Sequence, residues 1–451
     1  MGRPSIRSLA GGAAGIAAGV VSAVALTSIS AAGPPPADGA PPVIDAAHVP
    51  PLLTLPGEPI RLRYAIVCTP REDGKPCDGA GEVYARPGNV GVFQRFELRR
   101  GEESKDGRYY VDLPAELASS PDGFSYYAVL RDESTGASLT VPSGGANAPQ
   151  LSVPLRAALS VRLGRHEFGR LRAADEQVVA ARWGSALPQV GLSGSRDLGF
   201  AGPSSFDVEP DGTVDLLDSV NGRVLRWKRG REEVVPLGLT AELADLAVEP
   251  DGTFDVLEAR GSLHAFRADG SSKWVQKLAE RTWAKLVHGP SGPIVEQQPS
   301  EEWLPVAEAG SPLATAAQAD RGRTGRPLGN GHELLVERVG EGELRVADAT
   351  ANAPLRAWRI TSETPLGEVQ LAEPHGRGIV VATKAYTDER DEFVVLVLDE
   401  SGIAAQFSVA SNSFTETAPL ARFRLAGSSL YRLRTTQTGT FVDRFDLEVP
   451  R

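Results

Sequence analysis

Three histidines carry the first hint of chemistry. His288, His332 and His375 stand 44 and 43 positions apart, close to a constant period. Histidines repeated at a structural period are one way to bring imidazole ligands together on a single metal ion. The two cysteines, Cys68 and Cys77, flank a loop containing Pro70, Asp73, Gly74 and Pro76. In an oxidising compartment so close a pair is most simply a structural disulfide, and closing a loop this short contributes about 2–3 kcal/mol. The alternatives are a redox pair, which usually has two residues between its cysteines at a helix start, and half of a zinc site, which needs four ligands. The tetrapeptides Glu249-Pro250-Asp251-Gly252 and Glu373-Pro374-His375-Gly376 place carboxylates in turns. A calcium site needs six or more oxygens, more than one four-residue hairpin supplies, so these read as turn chemistry. The chain has no phosphate-cradling glycine loop, no Gly-x-Ser-x-Gly elbow and no His-Glu-x-x-His helix.

Whether the histidines can meet depends on the elements that carry them. Forty-eight glycines and 34 prolines are spread among short apolar runs, the distribution of an all-β chain with many turns. Between residues 52 and 157 strand-sized segments follow one another at Ile60–Val67, Gly91–Leu98, Arg108–Leu113, Phe124–Leu130 and Ala137–Val141, which predicts a small β-sandwich. From Pro203 the chain reads Ser-Ser-Phe-Asp-Val-Glu-Pro-Asp-Gly-Thr-Val-Asp-Leu-Leu-Asp to Asp218, and Leu246–Glu258 repeats that pattern forty positions later. Asp211-Gly212 and Asp251-Gly252 fill equivalent hairpin turns, where glycine supplies a positive backbone angle. Third strands follow at Val224–Trp227 and Leu263–Phe266. Four strands in about 40–45 residues, repeated, predict propeller blades.

Worn copies keep first hairpins around Ser291-Gly292, Glu341-Gly342 and His375-Gly376, and the last strands run Ala421–Leu425, Leu430–Thr435 and Thr440–Leu447. The count is six blades. The last lacks a strand, so closure by Glu176–Trp183 is expected, which removes free edges. On this alignment His375 occupies a turn, His288 a first strand, and His332 precedes its first strand. The three positions differ in depth, which argues against a shared metal.

Residues 1–32 combine Arg3 and Arg7, an apolar stretch from Leu9 to Leu26 and the small-residue run Ser30-Ala31-Ala32, the order of a secretory signal cleaved after Ala32. The same stretch, if retained, is a membrane anchor. Residues 33–51 hold seven prolines, from Pro34 to Pro51, and are expected to form an extended linker. The net charge of −11 becomes two units more negative once Arg3 and Arg7 are removed, and no dense basic run interleaves with aromatics. This excludes a nucleic-acid partner.

Two resemblances rest on these residues. Gly107–Pro114 followed by Phe124–Asp132, with paired tyrosines in each, resembles a bacterial immunoglobulin-like domain. The sequence Asp218…Asn221…Arg223-Val224 resembles the NHL repeat, in which the Asp and Asn shape the turn before a strand that carries the arginine. Together they imply an all-β protein: an immunoglobulin-like β-sandwich at 52–157, then a six-bladed β-propeller at 158–451. The expected function is that of an exported, bacterial-type binding or scaffold protein for a protein or glycan partner. The alternative is a propeller-type metal-dependent lactonase, hydrolase or lyase. No catalytic, cofactor-binding or metal-binding residue is assigned. Structural roles go to Cys68 and Cys77 and, in the repeat turns, to Asp211, Gly212, Asp218, Asn221, Arg223, Asp251 and Gly252.

Overall fold

Side chains alternate along Arg61–Cys68, with Leu62, Tyr64 and Ile66 turned inward. This is the period-two pattern of a strand with one wet face. The strand belongs to a computed structural model that describes residues 44–68, 78–101, 108–197, 199–228, 230–241, 243–249, 251–278, 282–289, 292–298, 301–308, 323–329, 331–350, 353–416 and 418–447. The expected signal (1–32), most of the expected linker and Cys77 lie outside the described residues. Among the described residues, helix is confined to Ala115–Ala118 and a 3-10 turn at Gly145–Asn147, so the fold is all-β. None of these is long and apolar enough to cross a membrane.

Two sheets build the first layer pair. One orders Ile44–His48, Arg61–Cys68, Arg108–Asp112 and Arg99–Arg100; the other orders Leu53–Thr54, Gln150–Pro154, Phe124–Asp132, Gly79–Pro87 and Gln94–Glu97, with Ser138–Val141 also paired to Phe124–Asp132. Their inner faces share one core that includes Leu62, Tyr64, Tyr109, Tyr126 and Leu130. The paired tyrosines split as strand geometry requires: Tyr109 and Tyr126 are buried, while Tyr110 and Tyr127 are not. His48 stacks on Tyr64 and meets the Tyr126 hydroxyl at 2.8 Å, and burial pushes its imidazole down to about 4.

The linker expected at 33–51 is corrected here, because Ile44–His48 pairs antiparallel with the whole of Tyr64–Cys68. The reason is local. The prolines cluster at 34–36, 41–42 and 50–51, and the proline-free stretch between them keeps all its backbone donors and alternates buried Ile44, Ala46 and His48.

Among the described residues six larger sheets follow, beside a two-stranded one formed by Ser193–Ser195 and Gly199–Ala201. The first strands of the six are Phe206–Val208, Ala244–Val248, Thr282–Gly289, Arg326–Gly329, Leu366–His375 and Phe423–Ala426. Phe206–Val208 touches Ala244–Val248 on one side and Phe423–Ala426 on the other, so the first strands close into a ring and the sheets radiate from it. This is a β-propeller arrangement. The sixth sheet receives its outer strand from upstream: Glu176–Arg182 pairs antiparallel with Gly439–Asp446. The sequence reading placed that strand at Glu176–Trp183.

Two features of the ring differ from expectation. The hairpin at Glu341-Gly342 joins the second and third strands of the fourth sheet, not the first and second, because the true first strand, Arg326–Gly329, is short and turns at once into His332–Val339. Leu159–Arg162 adds to that sheet as a fifth, parallel strand beside Ala353–Thr361. Only the tertiary fold brings these two segments together, since neither carries a repeat signature.

The sandwich and the ring form one compact unit, Val43–Arg451. Leu52, Leu53, Val153 and Leu155 of the sandwich pack with Leu335, Ala347, Ala349 and Ala357 of the fourth sheet in one apolar cluster. Polar contacts frame it. Gln150 exchanges two hydrogen bonds with the Thr324 backbone, and the Leu53 N–H donates to Glu337 at 2.7 Å.

Candidate functional site

Where the first strands meet, charged side chains tie neighbouring sheets together. Among the described residues Arg424 makes the widest such span. From the sixth sheet its guanidinium donates to the Phe206 carbonyl (2.9 Å) of the first sheet and the Leu246 carbonyl (2.8 Å) of the second, and it lies 3.6 Å from Asp207 and 3.1 Å from Asp245. Asp245 also accepts from Ser205 Oγ and from the Leu286 N–H of the third sheet, and Asp207 accepts from the Val248 N–H. One guanidinium and two carboxylates therefore tie four consecutive positions of the ring. Burial pushes the Asp207 carboxyl up, while the facing Arg424 and two backbone N–H groups act in the opposite direction. Arg424 is held above its ordinary value by Asp245, Asp207 and Glu373 against the opposing effect of burial.

The rest of the ring repeats the alternation of charge. Arg326 of the fourth sheet meets Glu373 of the fifth at 2.6 Å, and Lys285 of the third meets Glu296 at 3.2 Å. The Lys285 ammonium is raised, first by Glu296 and further by Glu301 and Glu368, with burial opposing. Glu301 is exposed and has a φ of 54°, the one non-glycine residue in the left-handed region among those described. Such a residue is a place to look for function. A surface hollow of about 490 Å³, lined by Ala180–Arg182, Thr438 and Phe441, lies on the outer strands of the sixth sheet, away from these groups.

A second pattern was legible in the repeat but was not drawn from it. Glu209 with Asp215 recurs forty positions on as Glu249 with Asp255. In the first copy Arg226 neutralises the pair, at 2.7 Å from Asp215 and 3.4 Å from Glu209. In the second, His288 from the next sheet stands 2.7 Å from Glu249 and 3.8 Å from Asp255. Burial raises Asp215 to about 7 and Asp255 to about 6. The Glu249 carboxylate thus belongs to an ionic cluster between sheets, while Asp251 of the same tetrapeptide stays in the turn.

The residues singled out for the turns take these places. Asp211 accepts from the Thr213 N–H (3.0 Å) and hydroxyl (2.6 Å), and Asp251 does the same with Thr253 at 2.9 and 2.6 Å. Gly212 and Gly252 follow at φ 84° and 82°. Asp218 accepts from Asn221 Nδ2, Arg223 Nε and the Gly191 N–H at 2.8, 2.8 and 2.9 Å, while Arg223 reaches the Gln189 carbonyl. This trio anchors the segment that leads from the closing strand into the first sheet. His332 pairs with Asp348 at 3.1 Å, and His375 ends the first strand of the fifth sheet, so the three histidines stand on different sheets with different surroundings. Among the described residues no three His, Cys, Asp or Glu side chains are placed to hold one metal ion. Cys68 ends its strand, and its proposed partner Cys77 lies outside the described residues.

No protein-family model matches the chain, and no curated protein does. Among solved structures it is similar to a virginiamycin B lyase from Staphylococcus aureus (10% identity, 54% of this chain and 94% of that one, TM-score 0.34). It is also similar to the C-terminal WD40 domain of Sif2 (12%, 73% and 92%, TM-score 0.30) and to YCF48 bound to D1 peptide (12%, 57% and 81%, TM-score 0.31). At these scores no activity or residue role passes to the chain.

Proposed function

We propose that this chain is an exported binding or scaffold protein. In this reading an immunoglobulin-like sandwich and a six-bladed, NHL-like propeller form one rigid body that engages a protein or glycan partner. The observation that carries it is the self-sufficiency of the ring's charges. Arg424 is spent on Asp207 and Asp245, Arg326 on Glu373, and Lys285 on Glu296, which suits a rigid platform whose loops do the recognising. Membrane contact enters only if residues 1–32 are retained, and the Cys68–Cys77 disulfide belongs to the same proposal as an extracytoplasmic clip.

The test is capture from the native envelope with the purified chain as bait. A saturable partner that survives mild salt supports the reading. Its absence, together with turnover of a lactone or ester by the purified chain, overturns it. The second reading is a metal-dependent lactonase, hydrolase or lyase, and Glu301, on a left-handed backbone in electrostatic range of Lys285, is the carboxylate it would draw on. Loss of such turnover in Glu301→Gln, with unchanged folding, is the result this second reading expects.

A further inference from the structure

The seam between the fifth and sixth sheets holds two arginines that the protein does not answer. Arg422 and Arg432 are 9% and 4% exposed, and the Nε of each is buried without a hydrogen-bond partner. Among the described residues neither forms an ion pair. Among those residues Arg422 makes no side-chain hydrogen bond, and it lies over the Phe393 ring, 5.1 Å from its centroid. Arg432 has one neutral acceptor, the Ala410 carbonyl.

The carboxylates nearby are already engaged. Asp391 is held by Lys384 at 2.8 Å and by the Ser411 hydroxyl at 2.6 Å. Asp443, opposite Arg432 across the strand pair, gives both oxygens to Arg434. Glu368 is the remaining carboxylate in electrostatic range of Arg422, and it is shared with Lys285. Lys384, Arg422, Arg432 and Arg434 thus face Glu368, Asp391 and Asp443, an excess of one positive charge located on the buried pair.

We propose that this seam binds a small oxyanion, a phosphate or a carboxylate group, on the guanidinium groups of Arg422 and Arg432. A buried guanidinium without a direct ion-pair partner is unfavourable, and a bound anion would supply that partner. The planar guanidinium fork matches the oxygens of phosphate and carboxylate. Burial lowers both arginines, Arg432 to about 10, and this is the direction that uncompensated positive charge produces. The site is separate from the contacts of Arg424 and stands or falls independently of the partner proposed above.

The test titrates the purified full chain with inorganic phosphate and, separately, with acetate, at constant ionic strength set by chloride, and reads heat of binding and thermal midpoint. The expected result is saturable one-to-one binding by phosphate or acetate that chloride does not reproduce. It should weaken about tenfold or more in Arg422→Gln, the loss expected for one charge-assisted contact. Stronger binding of phosphate identifies a phosphate-bearing ligand, and stronger binding of acetate a carboxylate. Arg170→Gln, which removes an exposed arginine paired with Glu167, should bind as the parent does. If Arg422→Gln folds poorly, Arg422→Met provides the second reading, with the chloride-state midpoint kept or raised and the anion response gone. Equal responses to chloride and phosphate, or an unchanged response in the Arg422 variants, overturns the proposal.

Discussion

Arg345, in the fourth sheet of the ring, holds both carboxylate oxygens of Glu58 in the sandwich at 2.8 and 3.0 Å, across 287 positions of sequence. The same guanidinium donates to the Leu53 carbonyl and pairs with Glu343 at 2.7 Å. With the apolar cluster beside it, this contact makes the sandwich a structural part of the ring.

Arg345→Ala is expected to destabilise the whole chain by about 3–5 kcal/mol, the usual loss when one partner of a buried pair is removed. Urea unfolding followed by fluorescence and circular dichroism checks it. The parent should unfold in a single transition, and two separated transitions with an unchanged ring midpoint would falsify the weld.

Glu337 makes that weld sensitive to pH. Its carboxylate accepts from the Leu53 N–H, and burial raises its pKa to about 7 from the ordinary 4.5. The folded chain holds this proton more tightly than the unfolded chain, so the contribution is complete below about pH 4.5 and is lost as pH rises toward 7. The span amounts to at most about 3 kcal/mol. Glu337→Gln keeps an acceptor for the Leu53 N–H and should flatten this part of the stability profile measured between pH 4 and 8.

Arg424→Ala opens the ring where it closes. Asp207 and Asp245 lose their shared cation, and a cost of about 3–5 kcal/mol is expected. Arg424→Lys restores the charge without the fork that reaches two carbonyls, so it should recover less than half of the loss in thermal denaturation.

Gly212 isolates backbone strain from packing, since a Cβ there would meet nothing nearer than the Tyr431 hydroxyl at 3.8 Å. Gly212→Ala should cost about 1–2 kcal/mol through its φ of 84°, and Gly212→Asn clearly less, because asparagine tolerates this region. Equal losses for both in guanidinium titrations would point to a cause other than the backbone angle.

Much of the ring was legible because its signals are local and repeat. Asp211-Gly212-Thr213 and Asp251-Gly252-Thr253 carry their own turn chemistry, and apolar runs such as Gly378–Tyr386 are strands buried on both faces. The upstream closing strand was legible from arithmetic alone, because a ring with one blade short of a strand must find it elsewhere. The strand Ile44–His48 was missed because surrounding prolines dominated the reading of its composition. The short first strand Arg326–Gly329 was missed because the longer hairpin after it gave the stronger periodic signal.

By itself, then, the sequence determined the all-β character, the turns, the forty-residue repeat and the place of the closing strand, since each is written within a few residues or at a fixed period. The tertiary structure alone decided the grip of Arg345 on Glu58, the span of Arg424 across three sheets, and the unanswered charges of Arg422 and Arg432. In the sequence these arginines look like any solvated cation. Arg345 and Arg424 find partners hundreds of residues away, Arg422 and Arg432 are buried against the neighbouring sheet, and no local pattern records which charge will be left without a partner.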